Sequence, residues 1–197
     1  MGIAEQRIQI VNAFEDKWQI NDAAHRANHF EAVFQCALKI SERLGINYDH
    51  KPMLFTAYFH DLFAWSRFNH HELSFHWMMT TDHPVICDNL KPAEMMLVAW
   101  ACHQHRASFK GKFKYEFCEL MNSADREEPG DVGRMLERAI MYRVGNHPEQ
   151  SDDERYAESV KHLKEKFGNG GYARYPEMYL KCFKEELQKQ RDEIAML

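Results

Sequence analysis

The stretch PMLFTAYFHDLFAW, residues 52–65, decides the fold that the sequence predicts. Proline suits the first turn of a helix, and the residues that follow it are almost all apolar or aromatic. The sequence therefore predicts a helix that opens at Pro52 and carries His60 and Asp61 in its last turns. Polar side chains in a largely apolar helix are costly to bury without partners, and coordination of a metal ion would compensate both.

Helical spacing of apolar residues extends over most of the chain. A helix is expected from Asp22, as the N-cap, to Leu44, with Gly45 as its stop. Breaks are expected at Pro129-Gly130 and at Gly168–Gly171. The remaining helices are predicted near 70–80, 92–106, 115–127, 131–144, 151–167 and 176–195. No segment has the two-residue alternation of a strand, so we predict an all-α fold.

The sequence predicts one domain over residues 1–197. Its core covers about 22–145, and two additional C-terminal helices cover about 151–197, after the linker Gly145–Glu154. The last helix has one broad apolar face, which is expected to pack on the core, with a homodimer seam as the alternative. Its apolar residues are Met178, Tyr179, Cys182, Phe183, Leu187 and Ile194.

The composition limits the kinds of partner that the protein is expected to bind. The chain has 197 residues and a formal net charge of -5, so it lacks the overall positive charge that attracts nucleic acids. No apolar run approaches the roughly 20 residues of a membrane-spanning helix. The five cysteines are scattered without a C-x-x-C pair, as in proteins of a reducing cytosol. We expect a cytoplasmic protein with no membrane contact, for which nucleic acid is a possible but less favoured partner.

Two further residues complete a candidate set of metal ligands with His60 and Asp61. His29 lies beside Phe30 on the first predicted helix, and Asp125 lies in the segment ELMNSADRE. Imidazole and carboxylate donors together suit divalent Mn, Fe, Co, Ni, Zn or Mg better than metals that prefer thiolates. The order of these four residues therefore predicts a metal-dependent hydrolase.

The order His29, His60-Asp61, Asp125 resembles the H…HD…D signature of the HD-domain metal-dependent phosphohydrolases. The segments RANHFEAVFQCA, LFTAYFHDLFAW and ELMNSADRE around these residues are similar to the corresponding helices of that family, over roughly residues 22–145. The resemblance implies an all-helical fold with His29, His60, Asp61 and Asp125 as ligands of a first metal. It implies cleavage of a phosphate ester of a small nucleotide or related metabolite by metal-bound hydroxide.

Members of the family with two metals carry two more histidines between the HD pair and the last aspartate. The segment FNHHELSFHWM offers His70, His71 and His76, and VAWACHQHRA offers His103 and His105. We expect His71 and His105 to be the ligands. One or two metal ions per chain remain open at this point.

A phosphohydrolase also needs residues beyond the metal ligands. Arg26, one helical turn before His29, and Arg106, beside His105, are placed to contact substrate phosphate. Glu72, or a histidine that is not bound to metal, is the expected general acid for the leaving group. Phe109–Lys114 (FKGKFK) forms either a solvated loop or a guide for an anionic substrate. The residues that follow Asp61, Leu62–Trp65, depart from the family's alarmone hydrolases and 5′-deoxynucleotidases, which carry acidic residues there.

Two alternatives stay open. HD-type scaffolds with six ligands also hold a di-iron centre that activates O₂, so a di-iron oxygenase is the second hypothesis beside the hydrolase. A non-catalytic module that binds a nucleotide in the helical cleft is the third hypothesis. Iron content with O₂ consumption would favour the oxygenase.

Overall fold

The structure is a computed structural model that describes residues 2–21 and 27–197, and these residues form ten helices and no strand. The prediction of an all-α fold is therefore confirmed. Within the described ranges, no helix has the length and apolar character needed to cross a membrane. The helices are α1 (Ile3–Trp18), α2 (Ala27–Leu44), α3 (His50–Phe59), α4 (His70–Thr80), α5 (Pro84–Cys87), α6 (Pro92–Gln104), α7 (Glu116–Ala124), α8 (Val132–Asn146), α9 (Asp152–Phe167) and α10 (Glu177–Met196).

The chain divides into two compact units. The first unit comprises Met1–Glu127 with Pro176–Cys182, and the second comprises Glu128–Tyr175 with Phe183–Leu197. Helix α10 contributes to both, and its backbone leaves helical geometry at Phe183, with φ -125° and ψ 25°. The predicted linker, residues 145–154, lies inside the second unit, where only residues 147–151 separate α8 from α9. A single domain over the whole chain stays a prediction.

Helix α3 is the central helix of the first unit. It packs against α1, α2, α6 and α7, and every residue from Pro52 to Phe59 is buried. A helix that is buried on all sides needs no polar face, which explains why its sequence is apolar throughout. The helix begins slightly before the predicted start at Pro52, because the Asp49 side chain caps it by accepting a hydrogen bond from the Lys51 backbone N–H at 2.9 Å.

Helix α3 ends at Phe59, six residues before the predicted end at Trp65. The chain turns after His60, and the buried side chain of Asn21 holds that turn. Its amide nitrogen donates to the carbonyl oxygen of Asp61 at 3.0 Å, and its amide oxygen accepts from the backbone N–H of Trp65 at 3.1 Å. Asn21 is distant in the chain, so no local pattern of the sequence predicts this early end.

Aromatic side chains pack beneath the turn. The ring of Phe59 lies edge-on to Phe14, with centroids 4.8 Å apart, and is stacked on Trp77 at 5.4 Å. Trp18 packs on Phe30 at 5.1 Å. Phe14 and Trp18 come from α1, a helix that the sequence analysis did not single out. Their spacing of four residues is the signal that would have predicted it.

The second unit has its own apolar cluster. Helices α8 and α9 pack on each other, and Val132, Leu163 and Ile194 are buried together. Ser151 caps α9 by accepting a hydrogen bond from the backbone N–H of Glu154 at 3.3 Å. All six apolar residues predicted for the last helix are buried in the chain, and a homodimer stays a prediction.

Candidate metal centre

Six side chains of the first unit converge in two groups of three. The first triplet is His29, His60 and Asp125, and the second triplet is Asp61, His70 and His105. Within each triplet, the imidazole nitrogens and carboxylate oxygens all lie within 4.8 Å of one another. The donors come from five helices or their ends, so the packing of these helices forms the site. These His/Asp groups could hold a metal ion.

Three of the donors stand at the carboxyl ends of helices. His60 is the C-cap of α3, His105 is the C-cap of α6, and Asp125 is the C-cap of α7. The carboxyl end of a helix carries a partial negative charge from its last carbonyl groups. Three such ends at one place add to the charge of the two carboxylates and favour a cation there.

The helix ends also orient the imidazoles. The last carbonyl groups of a helix have no partner within it, and a histidine ring can supply the missing donor. His60 Nδ1 donates to the carbonyl oxygen of Ala57 at 2.9 Å, and His105 Nδ1 donates to that of Cys102 at 2.6 Å. Because a carbonyl oxygen only accepts, each Nδ1 must carry the proton. The Nε2 atom of each ring therefore faces the other donors.

The spacing of the first triplet suits a first-row metal ion. His29 Nε2 lies 3.3 Å from Asp125 Oδ1, and His60 Nε2 lies 3.2 Å from the same oxygen. The two Nε2 atoms are 3.3 Å apart. Ligands about 2.1 Å from one ion are separated by about 3.0 Å in octahedral and about 3.4 Å in tetrahedral geometry. The three donors are already spaced as such a coordination sphere requires.

The second triplet has the same spacing. Asp61 Oδ1 lies 3.4 Å from His70 Nε2 and 3.3 Å from His105 Nε2, and these two nitrogens are 3.1 Å apart. The other oxygen of the same carboxylate, Asp61 Oδ2, lies 3.4 Å from His60 Nε2 in the first triplet. Asp61 thus presents one oxygen to each triplet, as a carboxylate does when it bridges two ions.

Charges within the site are strongly coupled. Burial lowers the pKa of His29, but its hydrogen bonds with Asp125 and Glu127 raise it by more, to about 9. Burial also lowers the pKa of His60, and the charge of Asp61 then raises it well above its ordinary value. Burial raises the pKa of the Asp61 carboxyl, but the charges and hydrogen bonds of His60 and His105 together hold it well below its ordinary value. Protons on the imidazoles balance the carboxylates, and a divalent cation would displace them.

His70 behaves differently. Burial and then the charge of His105 lower the pKa of His70 to about 4, so its ring is neutral near pH 7. A neutral imidazole has a lone pair available for a metal ion without loss of a proton. The second triplet therefore contains a donor that is ready to bind at neutral pH.

Buried polar side chains hold the segments that carry the donors. The amide nitrogen of Asn122 donates to the carbonyl oxygens of Gln104, His105 and Arg106, at 2.6, 2.8 and 3.2 Å. The Ser74 hydroxyl donates to the carbonyl oxygen of His60 at 3.0 Å. Neither role could be predicted from the sequence, because polar residues in helices carry no signal of such distant partners.

Of the neighbours His70 and His71, the structure brings His70 into the second triplet, and not the predicted ligand His71. Successive residues of a helix point about 100° apart, so only one of the two neighbours can face Asp61. The ring of His71 lies beside that of His103, with centroids 5.5 Å apart, and His76 is exposed. The choice of His105 over His103 agrees with the geometry of the second triplet.

The predicted catalytic residues lie around the donors or outside the described ranges. The Arg106 guanidinium donates to the Phe68 carbonyl oxygen at 2.9 Å and lies close enough to His70 to contribute to its lowered pKa. Glu72 is exposed on α4, where its charge acts on His71 and His103, and it is in neither triplet. Arg26 and the predicted N-cap Asp22 lie outside the described residues. The roles of Arg26, Glu72 and Arg106 stay predictions.

The likeness to the HD-domain phosphohydrolases stays a prediction that depends on the order of the motif residues. The side-chain geometry is an independent observation, since the distances between donors do not follow from that order. Comparisons of the chain with protein-family models, with curated proteins and with solved structures find no match.

Proposed function

We propose that the chain is a metal-dependent phosphohydrolase that cleaves a phosphate ester of a small nucleotide or a related metabolite. The observation that supports this most is the position of the Asp61 carboxylate, with one oxygen at 3.4 Å from His60 and the other at 3.3 Å from His105. A carboxylate shared between two sets of donors is suited to a pair of ions, and paired ions favour displacement at phosphorus.

Two ligand sets follow from this proposal. One ion would be held by His29, His60, Asp61 and Asp125, and the other by Asp61, His70 and His105. In six-coordinate geometry, the first set would leave two positions and the second set three for water and for substrate oxygens. When bound, such an ion lowers the pKa of a coordinated water towards neutrality and polarises a phosphoryl oxygen.

The chain's own residues would bind and orient the substrate. Arg106, beside the second triplet, is a cation within reach of a phosphate that approaches His70 and His105. The loop Phe109–Lys114 adds three lysines, and Lys114 Nζ lies 5.5 Å from the centre of the Trp100 ring. The Phe109 and Phe113 rings are packed 5.1 Å apart, which gives an apolar surface beside these charges. Cations beside aromatic rings suit a nucleotide, with its phosphates and its base.

The test is a turnover screen of the purified protein. Nucleoside mono-, di- and triphosphates are offered with Mn²⁺, Co²⁺, Ni²⁺ or Mg²⁺, and phosphate release is measured. We expect release with at least one ion, loss of release with chelator, and loss in Asp61→Ala with unchanged circular dichroism. Asp82→Ala is the matched control, because Asp82 is an exposed aspartate outside both triplets.

Two other results would each count against the proposal. Full turnover in Asp61→Ala would separate the activity from the metal centre. About two iron ions per chain with O₂ consumption, and no phosphate release with any ion, would assign the same ligands to an oxygenase.

A further inference from the structure

Glu127 has the only positive φ among the non-glycine residues of the described ranges, at 56°. It lies two residues after Asp125, just beyond the end of α7, and its backbone N–H donates to the Ala124 carbonyl oxygen at 2.9 Å. Glycine or asparagine is usual where a helix ends in this left-handed conformation, because the Cβ atom of other residues is crowded there. The presence of glutamate in this unusual conformation points to a function of its side chain.

The Glu127 side chain contacts the first triplet from outside. Glu127 Oε1 lies 2.9 Å from His29 Nδ1, while Asp125 Oδ1 lies 3.3 Å from His29 Nε2. Two residues of one short segment thus contact the two opposite nitrogens of one imidazole ring. An ionised carboxylate only accepts hydrogen bonds, so His29 Nδ1 must carry the proton towards Glu127. Nε2 is then the atom left for a metal ion.

The partner of Nδ1 in His29 differs in kind from the partners of Nδ1 in His60 and His105. The Nδ1 atoms of His60 and His105 donate to backbone carbonyl oxygens at the ends of their own helices. His29 lies on α2, and its Nδ1 meets a charged group from a different segment of the chain. A carboxylate that accepts from a ligating histidine fixes the ring and makes it a better donor.

We propose that Glu127 is a positioning residue that orients His29 and strengthens it as a ligand for a divalent cation. This inference rests on the proposed metal centre, because Glu127 acts on the metal only through His29. It gives Glu127 no contact with substrate. With the left-handed backbone at Glu127, the segment after α7 brings Asp125 and Glu127 to the two nitrogens of the same ring.

The experiment measures binding of Mn²⁺ alone by titration calorimetry, without substrate, in wild type and in Glu127→Gln. Glutamine preserves the size of the side chain and removes its charge. We expect Glu127→Gln to bind its tightest ion about 10- to 100-fold more weakly than wild type, with unchanged circular dichroism. The matched control is Glu128→Gln, which makes the same change at the next, exposed residue and should bind as wild type does.

A second variant keeps the test decisive if Glu127→Gln folds poorly. Glu127→Gly relieves the left-handed backbone while it removes the carboxylate, so it should fold and still bind Mn²⁺ more weakly. Wild-type affinity in either folded variant would overturn the positioning role and leave the metal centre standing. If wild type itself bound no Mn²⁺, the metal centre and the role of Glu127 would fall together.

Discussion

In the chelator-treated protein, the imidazoles of the candidate metal centre carry protons that stabilise the fold. We therefore expect the free energy of unfolding to fall as pH rises and these protons are lost. The pKa of His29 is raised from 6.5 to about 9, with burial opposing the shift and the hydrogen bonds with Asp125 and Glu127 outweighing it. A group whose pKa is raised on folding stabilises the folded state fully below its unfolded value. That stabilisation is lost as pH rises through the folded value.

The size of the effect follows from the shift. One pKa unit corresponds to about 1.4 kcal/mol, so the full contribution of His29 is about 3 kcal/mol. About 2 kcal/mol of it should be lost between about pH 6.5 and about pH 8.5. The His29 side chain is only 13% exposed, so solvent screens these interactions little. The pKa of His60 is also raised, which acts in the same direction.

Urea unfolding followed by tryptophan fluorescence measures this change. The four tryptophans all lie in the first unit, so the signal reports the unit that carries the centre. We expect the free energy of unfolding to fall over this pH range in chelator. Saturating Mn²⁺ should remove most of the fall, because the ion takes the place of the protons.

The variant Asp125→Asn tests whether the raised pKa of His29 causes the pH dependence of stability. It removes a carboxylate that holds the His29 proton, so the pH dependence should shrink well below that of wild type. An equal pH dependence in Asp125→Asn, or a wild type that grows more stable towards pH 8.5, would refute the reasoning.

Three other predictions concern single residues. By elemental analysis, His70→Ala should retain about one metal ion fewer per chain than wild type. His71→Ala should retain the same amount as wild type. The opposite result would identify His71 as the ligand. Asn122→Ala should lower the free energy of unfolding by about 2 kcal/mol in urea, because buried carbonyl groups lose their donor, and a change near zero would contradict that role. Arg106→Gln should raise KM for a phosphate substrate about ten-fold with unchanged metal content, and an unchanged KM would remove Arg106 from the substrate site.

The general fold could be predicted because helical periodicity is a local property. Residues 52–59 are apolar enough to require a buried helix, and the structure places them at the centre of the first unit. The end of that helix could not be predicted, since Asn21 fixes it from forty residues away. Helix α1 was not among the predicted helices, although Phe14 and Trp18 recur at helical spacing and are buried in the core.

The candidate site could be predicted in part. The order of His29, His60, Asp61 and Asp125 was enough to name residues that the structure brings together. Whether His70 or His71 faces Asp61 depends on the rotation of α4 about its axis. That rotation follows from where the helix begins and cannot be read from the neighbouring residues. Glu127 received no role from the sequence, because its contact with His29 depends on a backbone conformation that glutamate rarely adopts.

Metal content after equilibrium dialysis against Mn²⁺ tests the central claim most directly. Wild type, Asp61→Ala and the control Asp82→Ala are dialysed side by side, washed in metal-free buffer and measured by elemental analysis. The proposed centre predicts about two ions per chain in wild type and in the control, and fewer than one in Asp61→Ala, which loses the carboxylate shared by both triplets. A wild type that retains no ion, or an Asp61→Ala variant that retains as many as wild type, would contradict it.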